Sequence, residues 1–441
     1  MWSQPRVTAT SKCGISNACA AVTISLPGER LTACAVSGDE HRLLIGAMRG
    51  SVRLWTLDTG WFARNFLEPA VSRPRTFQEL ARLHDSFTHA LDDFRKTWLE
   101  GRIMEALEGF ERIRSTAGFA WSKEAILIRN IIIGPCKPTL LKSSAFIRSF
   151  EHHEKAVTCL DVSDNSLLML SGSRDRTAGL WDVVTGSCTR VFSLSAPAQA
   201  VFLLAGDLGL LTYCQDGALR RWRLDGDTVW QVEGISPPLL LWPDRKDLLA
   251  LSRDHRVVRV DTETGQTTYF GDRIQGTDLL RFSSDGAFVY GLHQGTRIHR
   301  SSTNTGSRLG IFRDLKVPVT AVCCPEGNEK VLAGLETGEV LIYVTSSGLN
   351  VASLKEHTEA VRAMDITPGG RFWATGSDDC SLRVWDMPGQ KCQAALEGHP
   401  SPVNVVRLFA NQSMIASGGN DGALRLWGLE WEYGLAKSTY E

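Results

Sequence analysis

Residues 372–386 read Phe372-Trp373-Ala374-Thr375-Gly376-Ser377-Asp378-Asp379-Cys380-Ser381-Leu382-Arg383-Val384-Trp385-Asp386. Aromatic and β-branched residues precede the polar turn Ser377-Asp378-Asp379, and after it Leu382 and Val384 alternate with Ser381 and Arg383. That is the pattern of two half-buried strands joined by a tight turn. From Asp379 to Trp385 is six residues, and the same step recurs from Asp175 to Trp181, Asp216 to Trp222 and Asp421 to Trp427. Weaker copies run from Asp254 to Val260, Gln294 to Arg300 and Thr337 to Tyr343. Successive turn positions stand 41, 38, 40, 43, 42 and 42 residues apart. Seven copies at this period point to propeller blades, each burying its faces against its neighbours.

Within one copy, a stretch at 361–366 is followed by Pro368-Gly369-Gly370, then by stretches at 372–375, 382–385 and 391–396, before Gly398-His399 opens the next copy. Four short strands per repeat resemble the WD40 family, whose blades are four-stranded antiparallel sheets around a central channel. The resemblance implies a hydrogen-bonded set of His, Ser or Thr, Asp and Trp inside a blade. Three copies carry it whole: His153, Ser171, Asp175 and Trp181; His357, Thr375, Asp379 and Trp385; His399, Ser417, Asp421 and Trp427. His to Asp is 22 residues in all three. In this reading the set is structural, with the turn Asp holding the His while the indole N–H finds a buried acceptor. The copy with Asp216 and Trp222 has no His in place, and those at 254, 294 and 337 have lost the Trp. Apolar packing must hold these blades, so a softer arc is expected between residues 254 and 345.

The family closes its ring with a strand from the start of the domain. Phe146-Ile147-Arg148-Ser149-Phe150 matches the fourth stretches elsewhere, and the last copy lacks one of its own, so 146–150 is expected to pair with the Trp427 strand and leave no open edge. Upstream stands an isolated copy at 31–67, with 61–67 as its fourth strand. One blade cannot bury both faces alone: it joins the ring as an eighth blade, docks on the helices, pairs with another chain or is partly disordered. Between the two regions the period becomes helical: Phe77, Leu80, Leu83, Phe87, Leu91, Phe94 and Trp98 follow Thr76, a break falls at Glu100-Gly101, a second helix carries Ile103, Leu107, Phe110 and Ile113, and a third opens after Ser122. Residues 98–112 resemble part of a tetratricopeptide (TPR) unit. The expected architecture is mainly β: a seven-bladed WD40 β-propeller at 146–430, an N-terminal extra blade at 31–67, a short TPR-like α-helical hairpin at 75–134, an undetermined segment 1–30 and a tail 431–441. This order resembles the C-terminal part of long bacterial WD-repeat proteins, some fused to serine/threonine kinases.

The 441 residues hold 48 Lys plus Arg against 49 Asp plus Glu, a net charge of −1. There is no polybasic surplus to neutralise nucleic-acid phosphates or anionic lipid, so neither partner is expected. No apolar run approaches the ~18 residues of a membrane span, and Ser16, Asn17, Thr23, Ser25 and Pro27 interrupt the N-terminal stretch too often for a signal peptide. Eleven scattered cysteines without a C-x-x-C fit a reducing cytoplasm rather than a disulfide framework or zinc site. Phosphate-loop, dinucleotide, zinc-protease, serine-hydrolase and kinase motifs are absent. No enzyme activity, cofactor or metal is expected.

The resemblance puts partner contacts on the face carrying the turn aspartates. The residue before each turn position points there: Arg174, Gln215, Arg253, Asp378 and Asn420. Arg174 and Arg253, with Arg176 and Arg256 nearby, are expected to make a basic sector fit for an acidic or phosphorylated peptide, against an acidic sector at Asp378. Asp379 is committed to its turn, which leaves Asp378 free. The functional reading is a non-catalytic protein-interaction scaffold, with a second surface on the helices. The alternative is an enzyme or small-ligand binder at the central channel, which needs three or more titratable side chains converging there.

Overall fold

A computed structural model describes residues 31–36, 42–47, 52–58, 70–71, 75–115, 120–205, 209–242, 245–274, 278–293, 296–312, 317–325, 327 and 329–435. From residue 136 onward the chain forms seven four-stranded antiparallel sheets, each a blade. Blade 1 comprises Val157–Val162, Leu168–Ser173, Thr177–Asp182 and Cys188–Ser193. Blades 2 to 6 repeat this order over 198–233, 235–273, 278–312, 319–355 and 361–397, and blade 7 is built on 403–435. The protein is therefore a seven-bladed β-propeller, as its repeat predicts.

The strand chemistry follows position in the blade. First strands line the channel; second strands are sandwiched between neighbours, so Phe372–Ser377 and Met414–Gly419 are buried at every residue. Outermost strands such as Thr228–Glu233 alternate between exposed and half-buried, the period of a strand with one wet face. Blades touch through close apolar packing, as where Ala374 and Val384 share a core with Val403 and Val406 of the next blade. Gly418 in blade 7 has no room for a side chain: a Cβ there would stand 2.6 Å from Val157 Cγ1 of blade 1.

In the Trp-less blades the core is apolar. Tyr343 stands where a Trp is expected and meets Phe312 edge to face at 5.4 Å, within a cluster that includes Tyr290, Val331 and Leu335. Gln294 lies outside the described residues.

The ring closes as the sequence suggests but over a longer interface. The seam strand is Cys136–Phe150, and it runs antiparallel to Leu424–Leu435, from Leu424 opposite Phe150 to Leu435 opposite Cys136. Residues 431–435, read from sequence as tail, thus belong to a strand of blade 7. Burial explains the extension: Leu429 and Trp431 are fully buried with Leu408 and Ile415, the Trp431 indole donates to the Gln412 carbonyl (2.6 Å), and its ring lies 4.2 Å from that of Phe372 in blade 6. Arg371 of blade 6 donates to the Thr139 carbonyl on the seam strand (2.9 Å).

Residues upstream of the propeller form a separate compact unit. Leu31–Val36, Arg42–Ala47 and Val52–Asp58 make an antiparallel sheet. The expected fourth strand at 61–67 and the segment 1–30 lie outside the described residues; Val52–Asp58 pairs instead with Ala70–Val71 and Arg75–Thr76. The seven blades complete their ring without this sheet, so it is not an eighth blade. Three helices follow, α1 (Phe77–Leu99), α2 (Ile103–Ser115) and α3 (Lys123–Ile132), the third opening after Ser122 as the sequence suggests. Gly101 (φ 73°) ends α1, with the Arg102 amide reaching back to the Thr97 carbonyl and that of Gly101 to Trp98, the six-to-one closure that needs a left-handed residue. Phe87, Leu91 and Phe94 of α1 and Ala106 and Phe110 of α2 are buried. Arg129 is buried too, stacked 4.2 Å over Trp121 and bonded to the Ala120 carbonyl.

Candidate functional site

Each blade with a full polar set shows how its turn is fixed. In blade 1 the Trp181 indole donates to Ser171 Oγ (2.8 Å), Ser171 lies 2.7 Å from His153 Nε2, and His153 Nδ1 lies 3.0 Å from Asp175 Oδ2. Asp175 also accepts the amides of Glu154 and Thr177. Blade 6 repeats the chain through Trp385, Thr375, His357 and Asp379 at 3.0, 2.7 and 2.8 Å. A neutral imidazole protonated on Nδ1 satisfies every partner, and desolvation holds the His153 pKa below its ordinary value against the pull of Asp175. The Asp379 carboxyl is held well below the usual range: burial opposes this, but hydrogen bonds from His357 and Ser381 outweigh it.

The order Ser–His–Asp is that of a hydrolase triad, and position decides that it is not one. Ser171 is fully buried, and its hydroxyl is packed between the Trp181 N–H and His153, which leaves a substrate no access to it.

Two blades depart from this pattern through an arginine four residues after the turn Asp. In blade 7 the Arg425 guanidinium donates to His399 Nδ1 (2.7 Å) and to Asp421 Oδ2 (2.8 Å), so Asp421 holds His399 only through Arg425. The sequence reading of a direct His399–Asp421 bond is corrected: with Nδ1 an acceptor, the proton sits on Nε2 and points at Ser417 Oγ, 2.7 Å away, which also accepts from Trp427. Desolvation and the Arg425 charge push the His399 pKa well below 6.5. In blade 2, which lacks the His, Arg220 binds Asp216 (2.7 Å) while Ser195 donates to the same carboxylate. Burial opposes ionisation there, but these bonds bring Asp216 down to about 2. Trp222 keeps its acceptor in Thr212 (2.9 Å).

The turns that carry these aspartates all lie at one end of the ring. The amides of Arg174, Gln215, Asp378 and Asn420 donate to the carbonyls of Ala156, Pro197, Ala360 and Pro402, each just before the first strand of the same blade, at 2.9 to 3.0 Å. Glu336, which the sequence reading missed, makes the same bond to Pro318 and is exposed. Arg174, Arg176, Gln215, Arg253 and Asn420 are also exposed. Arg174 and Arg253 stand on blades 1 and 3, and blade 2 between them presents Gln215, so the two do not form a continuous basic patch. Arg256 is drawn to Asp254 (3.5 Å) and lies over Tyr269. Asp378 is not free: Arg362 grips its Oδ2 through two nitrogens at 2.8 and 2.6 Å. Asn404 donates to Asn420 Oδ1 (2.9 Å) and to the Val157 carbonyl, joining blade 7 to blade 1.

Around the channel, charged groups stitch blades together. Asp161 of blade 1 accepts the Leu203 amide of blade 2 (2.8 Å) and Arg245 of blade 3 (3.1 Å). Asp365 of blade 6 likewise accepts the Leu408 amide of blade 7 (2.8 Å) and Arg407 (3.2 Å). Both carboxylates are committed, and no group of three His, Cys, Asp or Glu placed to hold a metal occurs among the described residues.

The family model "WD domain, G-beta repeat" matches residues 144–182, 348–386 and 390–428, which fall on blades 1, 6 and 7 and the strands that lead into them. The chain carries WD40 repeats. Their matches are the blades with a complete His, Ser or Thr, Asp and Trp set. The propeller is similar to the WD repeat-containing protein 26 homolog of Arabidopsis thaliana, 27% identical over 64% of this chain and 50% of that protein. It is also similar to human striatin (22%, over 64% of this chain and 35% of striatin) and to eukaryotic translation initiation factor 3 subunit I of Aspergillus oryzae (24%, over 63% and 80%). The chain spans half the length of the Arabidopsis relative and about a third of striatin. These relatives are eukaryotic, and none is named as a kinase fusion or an enzyme.

Proposed function

We propose that the propeller is a non-catalytic scaffold whose turn-bearing end receives a protein or peptide partner. The observation that carries this reading is the ring of side chains Arg174, Gln215, Arg253, Glu336 and Asn420. All are exposed on turns, and for four of them the turn backbone is pinned to the loop entering the same blade. Rigid presentation reduces the ordering entropy of binding. Asp378, gripped by Arg362, contributes shape more than charge. Similarity to the WD repeat-containing protein 26 homolog supports a scaffold. A reducing cytoplasm is the compartment this reading takes, in keeping with the eight cysteines from Cys136 to Cys392, all unpaired. Regulation of a separately encoded kinase is its narrower form and rests on the resemblance to fused bacterial proteins alone.

The test is affinity capture from native lysate with the full chain and with the double variant Arg174→Glu, Arg253→Glu, whose folding is checked by circular dichroism. Loss of a captured protein by the folded variant is the expected result. Equal capture by both chains refutes the role of these turns, and a kinase among the lost partners carries the narrower form.

A further inference from the structure

The central cavity, about 660 Å³, is lined by first strands of all seven blades and reaches the end opposite the turn aspartates, where Ser163, Asp164, Trp242 and Pro368 border it. Its cations are not equally satisfied. Arg245 is saturated: it binds Asp161 at 3.1 Å, Asp164 at 2.8 Å, and the carbonyls of Val162 at 3.1 Å and Leu203 at 2.5 Å. Arg281 of blade 4 is not. Its nearest carboxylate oxygen is Asp365 Oδ1 at 3.8 Å, beyond hydrogen-bonding distance, and its remaining contacts are the carbonyls of Met364 and Val322 at 3.3 and 3.5 Å. Asp365 is already shared: one oxygen accepts the Leu408 amide and the other Arg407.

Arg281, Arg407 and Asp365 therefore put two positive charges beside one negative charge that is already engaged. The Arg281 and Arg407 side chains keep 35% and 30% of their surface, open to the cavity. A guanidinium half withdrawn from water and short of acceptors draws an oxyanion strongly, because its planar fork matches carboxylate and phosphate oxygens. The surplus of one charge matches one such group.

We propose that the cavity is a binding site for a small molecule bearing a carboxylate or phosphate group, held between Arg281 and Arg407. This site is independent of the partner face at the other end.

Calorimetric titration of the full chain with inorganic phosphate and, separately, with citrate, at ionic strength balanced by chloride, tests it and tells the two chemistries apart. The expected result is saturable one-to-one binding of at least one anion, weakened about tenfold or more by Arg281→Gln. Arg281→Lys, which keeps the charge and loses the fork, is expected to fall between. Arg176→Gln and the Arg174→Glu, Arg253→Glu pair, at the opposite end, are expected to bind as the parent does. No saturable binding of either anion at millimolar concentration overturns the proposal. So does equal affinity in folded Arg281→Gln, or in Arg281→Lys if the Gln variant does not fold.

Discussion

Replacing Trp431 by alanine tests the closing strand directly. Its side chain is fully buried, its ring lies 4.2 Å from that of Phe372, and its indole N–H satisfies the Gln412 carbonyl. A Trp side chain buries about 150–250 Å²; at about 25 cal/mol per Å² that is roughly 4–6 kcal/mol, an upper figure because the unfolded chain is already partly compact. Large-to-small changes of this kind cost about 3–5 kcal/mol in practice, and that is the expected loss for Trp431→Ala. Trp431→Phe keeps the ring packing and orphans the carbonyl, for an expected loss of about 1–3 kcal/mol. Urea unfolding followed by near-ultraviolet circular dichroism reads both. A loss below about 1 kcal/mol for the alanine variant would mean that residues beyond 428 hang in solvent, and the account of the seam would fail.

Stability should fall as pH drops below about 6.5: the unfolded chain protonates His399 there while the folded chain, with a depressed pKa, does not, so the stabilisation is complete above that pH and lost below it. His399→Gln should flatten the change in urea midpoint between pH 7 and 5. Gly422→Ala should cost about 1–3 kcal/mol for backbone strain alone, because Gly422 has φ 80° and a Cβ would sit 2.4 Å from the His153 carbonyl oxygen; thermal unfolding checks it. A chain starting at residue 144 should stay a soluble monomer on gel filtration, since it keeps the pairs from Ser144–Leu429 to Phe150–Leu424. One starting at 152 should aggregate; equal behaviour would show that the seam does not seal the ring.

Where a signal is local, it is legible in sequence. The six-residue step from Asp to Trp is one turn and one strand, so it survives in the chain as written, and the 146–150 strand is visible because it copies its counterparts. Its extension back to Cys136 is not: Lys137, Pro138, Lys142, Ser143 and Ser144 break the alternation, and the strand is fixed by partners up to 299 residues away, at Leu435 opposite Cys136. Arg425 is not legible: Arg220 stands at the same offset from its Asp in a blade without His, but so does Arg383 in blade 6, where His357 meets Asp379 directly. The Arg362–Asp378 pair joins the first strand of a blade to the turn between its second and third, and Arg281, Asp365 and Arg407 meet only because the ring brings blades 4, 6 and 7 around one channel. No spacing along the chain encodes that meeting.

The seam also sets an order of events during synthesis. Thr139 bonds to Glu432, 293 residues later, so at about 5–20 residues per second the seam strand waits roughly 15–60 s for its partner to emerge. For that interval the ring is open, blade 1 lacks blade 7 as a neighbour, and a strand edge stands unpaired in a crowded compartment. The earlier blades, each stabilised by contacts local in sequence, can form during the wait. Closure is then the last step, and any ribosome stall short of Leu424 releases an uncapped arc, the form of this protein most exposed to proteolysis and self-association.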